Sequence, residues 1–154
     1  MVVKPIPDGY PRVSPFVVAT PAAEAIAYYK DVFGAVERLV VRTPDGQINH
    51  SELQIGDSVV FVVDENADWK MRDPKHVGGT PVPIHVWVED PDAVFTRAID
   101  AGASQVYPPS DMYQGDRGAA FTDPFGHTWW VAARQHEFSA QEMDHAIAEA
   151  IGKP

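Results

Sequence analysis

The stretch Pro83–Ala103, PIHVWVEDPDAVFTRAIDAGA, decides the fold. It opens on an alternation in which Ile84, Val86 and Val88 share one face and His85 and Trp87 the other, the period of a strand with one face in a core. Asp90-Pro91 then supplies a capping carboxylate and a proline suited to a first helical turn. Val94, Phe95, Ala98 and Ile99 recur on one helical face until Gly102 ends it. The same order of signals stands earlier in the chain. Arg12–Ala19 is a β-branched and aromatic run, Thr20 offers a cap, Pro21 suits the first turn, and Ala22, Ile26, Tyr29 and Phe33 share a face closed by Gly34. Pro21 with Pro91, and Gly34-Ala35 with Gly102-Ala103, mark an internal repeat of roughly 70 residues, longer than the usual solenoid period.

Strand-like runs follow each helix. In the first half they are about Glu37–Arg42, Ile48–Ile55 and Ser58–Asp64, with turns at Pro44-Asp45-Gly46 and Gly56-Asp57. In the second they are about Ser104–Tyr107, Gly118–Thr122 and Thr128–Ala133, and Asp123-Pro124-Phe125-Gly126 places Pro and Gly where a type I turn wants them. The order βαβββ thus occurs twice, which predicts an α+β chain. Ser139, with Glu142 three residues on and Met143, Ile147 and Ile151 on one face, predicts an appended helix over about 139–151. The expected organisation is one domain over 1–154: a module at about 12–65, a connecting loop at 66–82, a second module at about 83–134, then that helix. Glu65–Val82, with Trp69, His76 and Gly78-Gly79, and Pro108–Arg117, with Tyr113, read as long loops, which are usually functional or mobile. The first reads equally well as a surface crossover.

Composition bounds the function. The chain has 154 residues, 12 Lys plus Arg against 22 Asp plus Glu, and no Cys. A formal charge of −10 leaves no basic face to neutralise phosphates, so nucleic acid and anionic membrane are not expected as partners. The lack of Cys excludes disulfides, thiolate metal sites and cysteine nucleophiles, so any metal must be held by His, Asp or Glu. No apolar run approaches the ~20 residues that span a bilayer, and the Pro-broken start is no signal peptide, so a cytoplasmic location is expected.

The twofold βαβββ order, the Thr20-Pro21 and Asp90-Pro91 helix starts and Asp123-Pro124-Phe125-Gly126-His127 before the last strand together resemble the vicinal oxygen chelate superfamily, which includes glyoxalase I, extradiol dioxygenases, fosfomycin-resistance transferases and bleomycin-binding proteins. Five stretches narrow the resemblance to the PhnB-like branch: Tyr28–Ala35, His50–Asp57, Gly78–Pro81, Val88–Phe95 and Gly115-Asp116-Arg117. The resemblance implies that the two modules form a half-open, curved barrel with helices outside and a ligand cavity on the concave side. It also implies a homodimer. On that footing strand alternation sends Ser14, Phe16, Val18, His50, Glu52, Gln54, His85 and Trp87 inward, with Leu53 and Ile55 outward. Trp130 is expected inward and Trp129 in the helix layer.

Catalytic members of the superfamily hold one divalent ion with side chains from the first and last strands of each module. The corresponding positions fall at about Ser14, Val60–Val62, Pro83 and Trp130, none of them a His or carboxylate, so the standard site is expected to be missing and no cofactor is expected. A displaced site made by His50, Glu52 and His85 is the alternative, a ligand set suited to Zn, Fe, Mn or Ni, with Glu52 and His85 as the candidate catalytic groups of a lyase, isomerase or dioxygenase. The plainer reading of these three is a polar cavity wall. Phe16, His50, Glu52, His85, Trp87, Tyr113, Arg117 and Trp130 are therefore expected to contact a small aromatic or amphipathic ligand. Arg117 could fix a carboxylate or phosphate, or simply pair with Asp116 or another acid. His127 reads as a capping or loop residue, and His76, His136 and His145 as solvent-exposed. Asp64 and Glu65 read as a solvated pair.

Overall fold

The computed structural model describes residues 3–152. The fold is α+β, with βαβββ occurring twice. The chain divides into two compact units, Met1–Thr80 with Phe125–His127, and Pro81–Pro124 with Thr128–Pro154.

In the first unit, β1 (Phe16–Val18), β2 (Val36–Arg42), β3 (Ile48–Ile55) and β4 (Ser58–Val63) form one sheet in the order β1-β4-β3-β2, with α1 (Ala22–Phe33) between β1 and β2 in the chain. β1 runs parallel to β4, and the other pairs are antiparallel. Ala22, Ala25, Ile26, Tyr29 and Val32 are buried on α1, and Gly34 ends it at φ 65°, the left-handed conformation glycine adopts most readily. Tyr28 is buried as well, edge-on to Phe125 at 6.0 Å.

Thr20 does not cap α1. Its N-cap position is Pro21, which offers no side-chain oxygen, and the Ala22 N–H donates instead to Asp64 Oδ1 at 2.8 Å. Asp64 Oδ2 accepts from the Ile48 N–H at 2.7 Å, so this carboxylate joins the starts of α1 and β3. Asp64 and Glu65 are therefore not a solvated pair. Ala22 and Ile48 are almost fully buried, and donors shut away from water need a protein acceptor. Glu65 accepts from the Asp73 N–H at 2.8 Å and lies 3.3 Å from His76 Nδ1.

The expected loop after β4 is in fact ordered. Asn66 and Met71 form an isolated bridge, and Asp73 caps a one-turn helix, α2 (Pro74–Val77), by accepting from the His76 N–H. The segment Phe125–His127 packs within this unit, where His127 Nε2 lies 2.8 Å from Val18 O.

In the second unit, β5 (Ile84–Trp87), β6 (Ser104–Asp111), β7 (Asp116–Thr122) and β8 (Thr128–Arg134) form a sheet in the order β5-β8-β7-β6, and α3 (Pro91–Asp100) follows β5. Asp90 caps α3 as expected, accepting from the Ala93 N–H at 2.9 Å. Phe121 and Trp129, opposite each other in register, are fully buried, and Phe121 meets Phe95 of α3 edge-on at 6.4 Å. Trp129 Nε1 donates to Asp123 Oδ2 at 2.8 Å, so the buried indole leaves no unpaired donor. Burying side chains of this size stabilises the fold by about 1.5–3 kcal/mol each.

β6 extends past its expected end at Tyr107 as far as Asp111, although it contains Pro108 and Pro109. It lies at the sheet edge, where a missing N–H costs no ladder bond, and its register shifts on both sides of Tyr107. The second expected loop thus shrinks to the turn before β7. The last helix, α4 (Ala140–Ile151), carries the expected capping box of Ser139 and Glu142. Hydrogen bonds from Ser139 hold the Glu142 carboxyl below its usual range.

Candidate functional site

The ladders of each sheet line up side chains in rows, and the corresponding rows of the two units differ in content. In the first sheet the row is Phe16, Phe61, Glu52 and Leu39, strand by strand. Phe16 and Phe61 are in contact at 5.3 Å, and His50 lies 5.4 Å from Phe61. Glu52 is only 8% exposed, yet it is well provided with partners. The Tyr10 hydroxyl donates to Glu52 Oε2 at 2.6 Å, His50 Nε2 lies 3.1 Å from Oε1, and Arg38 Nε is 3.9 Å from Oε2. Burial pushes the Glu52 carboxyl up, but the hydrogen bonds from Tyr10 and His50 and the charges of His50 and Arg38 outweigh it and leave a net downward shift. The bond to Glu52 raises the Tyr10 phenol. Arg38 stacks over the Tyr10 ring at 4.3 Å and donates to Gly9 O at 3.0 Å, tying the lead-in segment to the cluster.

In the second sheet the equivalent row is His85, Trp130, Ala120 and Tyr107. Ala120 stands where the first sheet has Glu52, and the rings on either side of it, Trp130 and Tyr107, approach to 5.8 Å at an interplanar angle of 31°. The neighbouring row is Trp87, Ala132 and Gly118, again large beside small. A Cβ on Gly118 would come within 2.7 Å of Met112 Cε, so the Met112 side chain lies directly over that glycine.

Trp130, Tyr107 and Met112 are lining residues of a cavity of about 450 Å³, with Tyr113, Gln114 and Asp111 from the end of β6 and the turn beyond it, and Ala150 from α4. That volume is within the range of ordinary ligand sites. Gln114 Nε2 donates to Met112 Sδ at 3.2 Å, while Gln114 Oε1 is buried without a hydrogen-bond partner among the described residues. Asp111 Oδ1 is 3.3 Å from Arg117 NH1. A larger hollow of about 870 Å³ runs along α4, but every residue lining it belongs to that helix and its cap.

The expected contact residues are thus distributed over two units. Tyr113 and Trp130 meet in the cavity. His85 and Trp87 pack edge to face at 4.8 Å on β5, and Trp87, 57% exposed, has Arg134 over its ring at 5.5 Å. Arg134 in turn donates from Nε to the buried Asp116. Phe16 and Glu52 belong to the first unit's row, and His50, opposite Val41, stands two residues before Glu52 on the same strand. The Arg117 fork is held by Asp92 through Nε at 2.8 Å and NH2 at 2.6 Å, so a ligand role there would need this pair to open. These hydrogen bonds hold the Asp92 carboxyl below its usual range.

Among the described residues, no three His, Asp or Glu side chains are grouped so as to hold a metal ion. The positions where the family resemblance implies ligands carry a hydroxyl at Ser14, hydrocarbon along Val60–Val62, a prolyl ring and an indole, a donor set that does not fit a divalent cation. Tyr107, Asp111, Met112, Gln114 and Ala150 escaped the sequence reading. The register shifts around Tyr107 hide its facing, and nothing in the sequence places α4 beside β6.

Comparison with known proteins agrees with this architecture. Residues 14–131 match the family model described as the glyoxalase/bleomycin resistance protein/dioxygenase superfamily. An uncharacterized protein of Mycobacterium bovis is 39% identical over 141 residues, 90% of this chain and 93% of that one. The crystal structure of TioX from Micromonospora sp. ML1 superposes with a TM-score of 0.59 at 26% identity, over 80% of this chain and 99% of its own. A PhnB protein from Bacillus cereus, described as a putative 3-demethylubiquinone-9 3-methyltransferase, shares the fold with a TM-score of 0.62 at 15% identity, over 80% and 99% of the two chains. The chain belongs to the glyoxalase/bleomycin resistance protein/dioxygenase superfamily.

Proposed function

We propose that the protein binds a small planar or amphipathic organic molecule in the second unit's cavity, without a metal at the family's usual ligand positions. The observation that carries this reading is the pair Trp130 and Tyr107, 5.8 Å apart beside Ala120. A protein core has no need of an indole over an alanine in a partly open space, whereas a flat ligand gains a stacking surface there. The donor chemistry supports the reading, because an indole occupies a place where metal-using relatives need a ligand. A homodimer, implied by the family resemblance, is part of the same proposal, and light scattering on the eluted protein tests it.

Ligand binding is tested by Trp fluorescence and thermal shift with a panel of planar compounds. Saturable quenching that survives chelator, vanishes in Trp130→Ala and persists in Trp69→Ala is the expected result. Trp69 is exposed and outside the cavity. Binding that needs added metal, or no binding across the panel, overturns the proposal.

A further inference from the structure

We infer that the cavity selects an organic cation that joins a planar ring system to N–H donors, a protonated arylalkylamine, and discriminates against carboxylates of the same shape. The inference rests on the small-molecule reading above and gives its ligand a charge and a hydrogen-bonding pattern.

Three observations converge. The first is the unpaired acceptor. Gln114 Oε1 is buried and has no partner among the described residues, while the amide nitrogen donates to Met112 Sδ at 3.2 Å. A thioether sulfur can only accept, so the amide orientation is fixed chemically and the oxygen is the atom left over. A turn of the Gln114 side chain toward the cavity would let a ligand donor pair with this oxygen and remove a standing penalty, whereas a ligand acceptor would meet a second lone pair. The second is charge. Asp111 is the one charged side chain among the described residues that line the cavity. Its Oδ1 is 3.3 Å from Arg117 NH1, but Arg117 is committed to Asp92 through two shorter bonds, and Oδ2 has no partner among the described residues. Among the described residues no cationic side chain lines the space, and the chain carries a formal −10, so an anion would enter against the local and the overall field. The third is the ring pair. Trp130 and Tyr107 offer π faces, which attract cations as well as flat surfaces. Donor, cation and plane describe one ligand class.

The test uses three naphthalene derivatives of one shape and different charge: 1-naphthylmethylamine, 1-naphthalenemethanol and 1-naphthoate. Each is titrated into the full chain by calorimetry, with Trp130→Ala as the site control. The amine is expected to bind at least about tenfold more tightly than the naphthoate, with the alcohol between them. Asp111→Asn should remove most of the amine's advantage over the alcohol and leave the alcohol's own affinity unchanged. Gln114→Leu should weaken amine and alcohol together by about tenfold, the scale of one hydrogen bond. Asp8→Asn, an exposed acid outside the cavity, should change nothing, which separates a local carboxylate from general attraction to an acidic protein. Melting curves confirm that each variant is folded.

Equal or tighter binding of the naphthoate, abolished by Trp130→Ala, overturns the charge inference while leaving the ligand cavity intact. Amine binding lost equally in Asp8→Asn and Asp111→Asn also overturns it. Failure of all three compounds to bind in a Trp130-dependent way overturns both the inference and the reading beneath it.

Discussion

Replacing Asp64 with Ala tests whether one carboxylate joins α1 to β3. Its two oxygens accept from the Ala22 and Ile48 N–H groups at 2.8 and 2.7 Å, and both donor residues are at most 1% exposed. Alanine leaves two backbone donors without acceptors, in places water does not reach. At about 1–3 kcal/mol for each buried unsatisfied group, and about 0.5–2 kcal/mol for loss of a helix cap alone, the total is about 3 kcal/mol. For a chain of this size that lowers the Tm by roughly 6–12 °C. Asp64→Asn keeps one acceptor oxygen but turns an NH2 toward the other N–H, so it should lose about as much as one donor or somewhat more. Urea unfolding followed by circular dichroism, with the slope checked for constancy, measures both. An Asp64→Ala variant within about 0.5 kcal/mol of the parent refutes the reasoning. Equal losses for Ala and Asn would refute the geometric part, because the two changes would then share only the lost charge.

Other outcomes follow from the two rows of side chains. The folded-state pKa of Glu52 lies below its unfolded value, so its contribution to stability is fully present above the ordinary glutamate range and is lost as pH falls through the depressed value. Tyr10→Phe should raise the Glu52 titration midpoint in a carboxyl 13C NMR titration and flatten the acid limb of the stability curve; an unmoved midpoint contradicts the assigned hydrogen bond. Gly118→Ala must displace Met112 Cε, which a Cβ would approach to 2.7 Å, and should weaken planar probes more than it lowers the melting temperature. Gly115→Ala should instead destabilise by about 1–2 kcal/mol or more, since its φ is +85° and its Cβ would meet the His136 carbonyl oxygen at 2.6 Å. Ser139→Ala removes half of the capping box on the helix that contributes Ala150, so helical circular dichroism should fall slightly and probe affinity with it; unchanged affinity would separate α4 from the cavity.

The fold was legible because it is written twice. Strand alternation at Ile84, Val86 and Val88, the Asp90 cap and the Gly34 and Gly102 stops are local signals, and each needs only its own neighbours to act. What the sequence concealed depends on partners far along the chain. Asp64 looks like any strand-end acid until the Ala22 and Ile48 N–H groups arrive beside it. Arg117 was readable as an ion-pair former, but its choice of Asp92 over the adjacent Asp116 follows from strand facing, which directs Asp116 to Arg134. The cavity was half legible. Trp130 and Tyr113 stand out by residue type, whereas Tyr107 lies between two register shifts that break the period-two argument, and the Gln114 oxygen becomes informative only once its burial is known.

The segment Phe125–His127 has a consequence for how this chain can be divided. Its residues belong to the first unit, where Phe125 meets the rings of Tyr28 and Tyr29 at 6.0 and 6.4 Å, although they stand between β7 and β8. The first unit is therefore discontinuous, and a gene cut after Thr80 does not encode all of it. Fragment complementation tests this: a peptide ending at Thr80 should stay poorly ordered alone and gain structure when the remaining fragment is added in trans.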